Sequence, residues 1–279
     1  MKCGDDCVGA VLQTLEASGL AETTVIIFIS DHGMPLPYAK SSLYADGLRT
    51  PWIVKWPGKL SPGQIDSEHL VSAIDFMPTV LDIAGVRHPH GIQGKSTLSL
   101  MEGQADPSRD VVFAEFNDNA GGLAYPMRAI HTKDFLYVFN AWGSGENKFT
   151  SASTWHRTEG VIKGMARNNP EVAKRYQFLL HRCVEEFYDL RSDPHALVNL
   201  IDAPEHQERI DAFRTQLNTW MLETDDHLIE AFAARDDLAA LQAIYKKLDA
   251  ESLKRRKHCN GSVIKIAREA PVVIPDCTA

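Results

Sequence analysis

The 279-residue sequence has few cysteines, no excess of positive charge and no long apolar run. Its five cysteines follow no regular spacing, so they give no indication of a disulfide framework. No apolar run approaches the ~20 residues of a membrane-spanning helix. The net charge of −8 argues against binding to nucleic acid. These absences exclude a disulfide-stapled small protein and predict neither a membrane nor a nucleic-acid partner.

The first residues, Met1 to Gly4, do not resemble a signal peptide, which would have a basic start followed by a continuous apolar stretch. We therefore leave the localisation of the protein open. The overall composition, with 44% hydrophobic and 24% charged residues, is that of an ordinary globular protein.

The most informative stretch is residues 26–33, I-I-F-I-S-D-H-G, in which an apolar run ends in an acid, an imidazole and a glycine. Such a run, preceded by a helical pattern over residues 5–20, predicts a buried strand of a parallel sheet. Ligands of α/β sheets bind at the carboxyl ends of strands, where Asp31 and His32 fall. Both side chains can bind a divalent cation, although a polar turn that simply ends the strand is the alternative.

The rest of the pattern predicts further elements on both sides of a break near residues 105–110. Before it, residues 51–56 are typical of a strand and residues 71–85 of a helix. After it, we predict strands at 111–115, 127–131, 135–139 and 186–190, and helices at 204–223 and within 226–256. The insert 140–160 is rich in Gly, Ser and Thr, and its Trp142, Trp155 and His156 either stack on a sugar or pin the loop to the domain.

The order of these motifs resembles the sulfatase family of the alkaline-phosphatase-like superfamily. The resemblance rests on I-I-F-I-S-D-H-G, a loop with Lys40, P-W-I-V-K-W-P-G, A-I-D-F-M-P-T-V-L-D-I-A-G-V and E-F-Y-D-L followed by D-P-H. It covers roughly residues 5–225. Within the family, the loop 33–44 and Tyr125-Pro126-Met127-Arg128-Ala129 are similar to the heparan N-sulfatases, or sulfamidases.

The resemblance implies an α/β fold: the C-terminal remnant of a mostly parallel-sheet sulfatase domain, followed by a small antiparallel α+β subdomain. The predicted domains are residues 1–108 for the partial catalytic domain, 109–225 for the subdomain and 226–279 for a helical and irregular tail.

The resemblance also implies roles for individual residues. Asp31 and His32 would bind a divalent cation, with calcium expected first; manganese, magnesium and zinc are compatible with His32, which stands where many members have Asn. Lys40 would contact a sulfate oxygen, at a position where sulfamidases tend to have Arg. Arg128 and His131 are candidates for substrate binding, with an ion pair on the surface as the alternative for Arg128.

One expected motif is missing. Sulfatases carry a Cys or Ser in C/S-x-P-x-R, which is converted to the nucleophile formylglycine, and no such motif occurs in this sequence. We therefore expect a fragment that does not hydrolyse sulfate alone and that pairs with an N-terminal sulfatase half or self-associates. The expected substrate of the complete enzyme is a sulfated sugar such as N-sulfoglucosamine. The alternatives are a phosphate or phosphonate ester hydrolase of the same superfamily and a non-catalytic, partner-binding remnant.

Overall fold

The computed structural model describes residues 2–119, 121–154 and 157–260. The chain divides into two compact units. The first contains Met1–Asp31 and Thr50–Asp110, and the second contains His32–Arg49 and Val111–Ala279. The division at 110/111 lies close to the predicted boundary at 108/109, but the segment His32–Arg49 belongs to the second unit although it lies within the predicted first domain.

Among the described residues, the first unit contains three α-helices and two strands, and the second contains six α-helices and four strands. The helices are α1 (Lys2–Ala17), α2 (Ala45–Leu48), α3 (Phe76–Ile83), α4 (Leu98–Met101), α5 (Arg157–Ala166), α6 (Pro170–Leu180), α7 (Gln207–Glu223), α8 (Ile229–Ala233) and α9 (Leu238–Asn260). The strands are β1 (Ile26–Ile29), β2 (Trp52–Lys55), β3 (Val112–Asp118), β4 (Ala124–His131), β5 (Phe135–Asn140) and β6 (Glu185–Asp189).

The two strands of the first unit are antiparallel, with Ile26 opposite Lys55 and Ile29 opposite Trp52. The parallel pairing predicted for β1 is therefore not found among the described residues. A parallel pair needs a crossover, usually a helix that packs back on the sheet. The segment between β1 and β2 contains only the four-residue α2, which belongs to the second unit.

A buried ion pair organises the start of α3 in the first unit. The Asp75 carboxylate accepts hydrogen bonds from the Arg109 guanidinium at 2.8 Å, from the Lys95 amide at 2.8 Å and from the Ser72 amide at 3.0 Å. Asp75 and Arg109 are 5% and 4% exposed. The carboxylate therefore caps the helical turn Ala73–Asp75 and ties it to the segment before β3.

The second unit is built on a four-stranded antiparallel sheet with the order β3-β4-β5-β6. Every residue of the two central strands, β4 and β5, is buried, because both faces of the sheet are covered. The four strands predicted after residue 110 are thus confirmed, with differences of one to three residues at their ends.

Side chains from alternate positions of this sheet form two cores. On one face, Met127, Ala129 and Val138 pack with Leu43 and Tyr44 of the segment 32–49. On the other face lie Ile130, Tyr137, Phe139 and Phe187, together with buried residues of three helices: Ile210, Phe213, Leu217 and Met221 of α7, Phe232 of α8 and Leu241 of α9.

The last helices are part of this second core. The predicted helical segment 226–256 corresponds to α8 and α9, the second of which continues to Asn260, but it is not a separate tail, because Ala231 and Leu241 are fully buried against the sheet. The predicted irregular segment with Val272-Val273-Ile274 lies outside the described residues.

We expect the Asp75–Arg109 pair to be necessary for folding of the first unit. R109M removes one partner and leaves a buried carboxylate with an uncompensated charge, which costs about 3–5 kcal/mol. Urea unfolding measures this loss. The matched control is D82N, which removes the half-exposed Asp82–His88 pair and costs less than about 1 kcal/mol. Equal losses in the two variants would contradict this assignment.

Candidate functional site

Asp31 and His32 follow β1 directly, at the division between the two units. Asp31, in the first unit, is exposed, and its carboxylate lies 3.4 Å from the Ser30 hydroxyl, which donates to it. His32, in the second unit, is half-buried, and its Nδ1 donates to the Gly33 carbonyl at 2.8 Å. That bond fixes the proton on Nδ1, so the lone pair of the neutral ring is on Nε2, the atom suited to a cation.

Gly33 is required by a close approach of two backbone segments. Its amide donates to the Gly47 carbonyl at 2.9 Å, and a Cβ atom at this position would lie 1.9 Å from the carbonyl oxygen of Asp46. No other residue fits here without a shift of the backbone. The predicted turn at Gly33 thus becomes the point where the segment 32–49 closes on itself.

Lys40 lies in the middle of this segment and is half-buried. Its amide donates to the Met34 carbonyl at 3.1 Å, which closes a tight turn. We call the segment 32–49 the Lys40 loop. Two neighbours, Tyr38 and Ser41, have left-handed backbones with φ of 64° and 63°. Such conformations cost roughly 1–3 kcal/mol each in non-glycine residues and persist only where the surroundings impose them.

The surroundings that impose this loop come from the second unit. The Tyr38 hydroxyl donates to the Arg175 carbonyl at 2.5 Å, and the Arg175 guanidinium lies 3.8 Å from the centre of the Tyr38 ring. On the other side of Lys40, His131 Nε2 donates to the Leu43 carbonyl at 2.8 Å. The loop is therefore held on both sides of the lysine.

His131 performs this role as a neutral ring. It is 8% exposed at the end of β4, and burial lowers its pKa from 6.5 to about 4. The Leu43 carbonyl opposes this shift, and the charge of Arg49 adds to it. The structure thus places the predicted substrate-binding residue His131 under the Lys40 loop, where it contacts the backbone of that loop.

Arg128 is fully buried in β4. Its Nε and Nη2 donate to the Asp226 carboxylate at 2.5 and 2.9 Å, and its Nη1 donates to the Asn117 side chain at 2.9 Å. The ion pair expected as the alternative for Arg128 is present, but the expectation that it lies on the surface is wrong. A bidentate pair joins the sheet to the segment between α7 and α8.

Three residues to which the sequence patterns gave no role in a site, Arg182, Glu186 and Tyr188, lie against the same loop. Glu186 is fully buried and accepts hydrogen bonds from the hydroxyls of Tyr44 and Tyr188, at 2.5 and 2.6 Å. The buried Arg182 guanidinium lies 4.8 Å from the centre of the Tyr44 ring. The one signal in the sequence is that Glu186 and Tyr188 alternate along β6 and therefore share a face.

In the part that the structure describes, the insert 140–160 has the second of its two predicted roles, which is to pin the loop to the domain. Trp142 is fully buried and packs edge-on against Tyr125 of β4, with ring centres 5.2 Å apart, so it pins the insert to the sheet. Trp155 and His156 lie outside the described residues. Among the residues that the structure describes, no group of three or more His, Cys, Asp or Glu side chains is arranged to hold a metal ion, and no helix is long and apolar enough to cross a membrane.

Residues 31–142 match the family described as N-sulphoglucosamine sulphohydrolase, C-terminal. An ulvan-active sulfatase of Formosa agariphila is 32% identical over 227 residues, which are 80% of this chain and 37% of that protein. The human N-sulphoglucosamine sulphohydrolase is 30% identical over 235 residues, 80% of this chain and 46% of the human protein. The chain belongs to the sulfatase family.

Solved structures of low identity agree with this fold. BT1596, a 2-O GAG sulfatase, is 19% identical with a TM-score of 0.58, over 78% of this chain and 40% of that one. BT4656, solved with its substrate D-glucosamine-2-N,6-O-disulfate, is 20% identical with a TM-score of 0.54, over 80% and 39%. This sulfatase-family chain thus spans less than half the length of these relatives and matches their C-terminal part.

In this sulfatase-family chain, His131 makes the stability of the second unit depend on pH. Because its pKa is lowered by folding, the unfolded chain binds more protons between about pH 6.5 and 4, and the free energy of unfolding falls with falling pH by up to about 1.4 kcal/mol per unit. H131Q keeps a donor for the Leu43 carbonyl but does not titrate. We expect a shallower pH dependence for H131Q in urea unfolding, and parallel curves for the two proteins would contradict this.

Proposed function

We propose that this chain provides the sulfate-binding loop of a sulfatase that hydrolyses sulfuric ester or N-sulfate bonds of sulfated sugars, N-sulfoglucosamine first. The observation that carries the proposal is the Lys40 loop, which lies within the matched residues 31–142 and is held in a strained conformation against the sheet. The name of the human relative and the glucosamine disulfate bound to BT4656 support a sulfated glucosamine as substrate.

Lys40 would act through its positive charge. An ammonium group placed on a sulfate oxygen binds the ground state and stabilises the charge that grows as the S–O or S–N bond breaks. Lysine offers a single point charge, whereas the arginine of sulfamidases can contact two oxygens. We therefore assign Lys40 to charge stabilisation and not to proton transfer.

Asp31 and His32 are proposed as part of a cation site. The hard carboxylate of Asp31 suits calcium, and Nε2 of His32, set by the Nδ1 bond to Gly33, also suits manganese, magnesium or zinc. A bound cation would supply Lewis-acid polarisation of the sulfate. Since the described residues contain no group of three metal-binding side chains, further ligands would have to come from elsewhere.

The nucleophile would also come from elsewhere. The sequence contains no C/S-x-P-x-R motif that could yield formylglycine. We therefore propose that this chain binds sulfated sugar but releases sulfate only together with a segment that carries that motif.

Two other functions have an observation in their favour. The imidazole of His32, in place of Asn, favours a phosphate or phosphonate ester hydrolase. Exposed apolar side chains in the first unit, at Val11 (68%), Phe28 (42%) and Ile53 (59%), favour a protein that binds a partner or a second copy without catalysis.

We expect K40A to weaken the binding of N-sulfoglucosamine roughly 10- to 100-fold, because it removes one hydrogen bond from a charged donor. K40R, which keeps the positive charge, should bind N-sulfoglucosamine as tightly as the wild type or more tightly. Isothermal titration of the full chain with N-sulfoglucosamine, with and without calcium, measures both effects. The matched control is K174A, which removes an exposed lysine of α6.

Two outcomes would overturn the proposal. One is wild-type binding by K40A. The other is no binding by the wild type, combined with no sulfate release when the chain is mixed with the part of the human relative that the match leaves out. Tighter binding of a phosphate ester than of the sulfated sugar would favour the phosphate or phosphonate ester hydrolase.

A further inference from the structure

The buried carboxylate of Glu186 is the centre of a polar cluster between β6 and the Lys40 loop. Its Oε2 accepts from the hydroxyls of Tyr44 and Tyr188, and its Oε1 accepts from the Asn140 side-chain amide at 2.6 Å. Burial raises the pKa of both phenols well above their usual range, so both remain proton donors. Asn140 belongs to β5 and Tyr188 to β6, so only the third donor, Tyr44, belongs to the loop.

Arg182 provides the opposite charge inside the same region. Its guanidinium lies between the rings of Tyr44 and Phe149, 4.8 and 5.2 Å from their centres. It is 1% exposed, and its Nε and Nη2 have no hydrogen-bond partner among the described residues. The cation is therefore held by the rings of Tyr44 and Phe149 and by the contact of its Nη1 with the Met127 sulfur at 3.7 Å.

These groups hold the loop next to its strained part. Tyr44 and Leu43 follow Lys40 closely, and the left-handed Tyr38 and Ser41 lie on either side of it. A core that served only to stabilise the sheet would need no buried carboxylate here, since apolar residues of similar volume stabilise as well or better. In some proteins, buried polar groups of this kind specify one packing arrangement among several of similar stability.

We propose that Tyr44, Glu186 and Arg182 are positioning residues that fix the Lys40 loop in the conformation that binds sulfate. This inference rests on the function proposed above for Lys40. It predicts that the loop opens more often from this conformation when the Tyr44 hydroxyl, which donates to Glu186, is removed.

The structure offers a matched pair of variants. Y44F and Y188F each remove one buried hydroxyl from the same oxygen of Glu186, but only Tyr44 lies on the loop. Hydrogen–deuterium exchange of the full chain reports on the loop through the amides of Ala39, Lys40 and Ser42, which donate to carbonyls within it. We expect exchange of these amides to be about 10-fold faster in Y44F and unchanged in Y188F. Equal changes in the two variants, or none in either, would overturn the proposal.

A double-mutant cycle with Lys40 separates positioning from simple stabilisation. We expect Y44F to weaken the binding of N-sulfoglucosamine about 10-fold in the wild-type background and to have no effect in the K40A background. Y188F should change neither. An equal loss in both backgrounds would overturn the positioning role, because the hydroxyl would then act independently of the lysine.

The two readouts keep this inference separate from the proposed function. If no form of the chain binds N-sulfoglucosamine and the mixture with the missing part of the human relative releases no sulfate, the proposed function fails. The exchange experiment then still decides whether Tyr44 and Glu186 fix the loop, since it needs no ligand.

Discussion

The hydrogen bond from Tyr44 to Glu186 joins residues 142 positions apart in the chain and ties the segment 32–49 to the sheet of the second unit. A fully buried carboxylate costs several kcal/mol to desolvate unless hydrogen bonds satisfy it. One of its three donors comes from the segment 32–49. If the loop left the sheet, the Glu186 carboxylate would lose one of its three hydrogen bonds. The loop therefore packs on the sheet in the same step in which the carboxylate gains its third donor. In the sequence the loop follows β1 directly, but this bond attaches it to the sheet of the second unit.

The strands β3 to β6 and the helix α7 could be predicted from the sequence because the information for them is local. Apolar residues repeat with the period of a strand or a helix, and turns separate the repeats. Pairing is different. The antiparallel partner of β1, the burial of Arg128 against Asp226, 98 residues away, and the contribution of α8 and α9 to the second core depend on contacts between distant segments. Local periodicity contains no information on which segments meet.

The candidate site shows the same limit at the level of single residues. Asp31, His32 and Lys40 could be proposed from the sequence because they stand in motifs with a recognisable order. Roles in the site for Arg182 and Glu186 could not be predicted, because an Arg in a connecting segment or a Glu in a strand is equally typical of a surface. His131 is an intermediate case: the sequence identified the residue, but its neutral state and its bond to the Leu43 carbonyl follow from burial under the loop.

The proposed anion site belongs to a chain with a net charge of −8, so the charges near the loop need to be considered one by one. His131 is neutral near pH 7, and the charge of Arg182 is buried and opposed by Glu186. The cations that the segment 32–49 itself presents are the half-buried Lys40 and the exposed Arg49. Since salt screens exposed charges beyond roughly 8–10 Å, the sign of the whole chain has little influence on such a site. In the proposed site, the position of Lys40 therefore matters more than the total charge of the chain, and the hydrogen bond from Tyr44 to Glu186 ties the segment that carries Lys40 to the sheet.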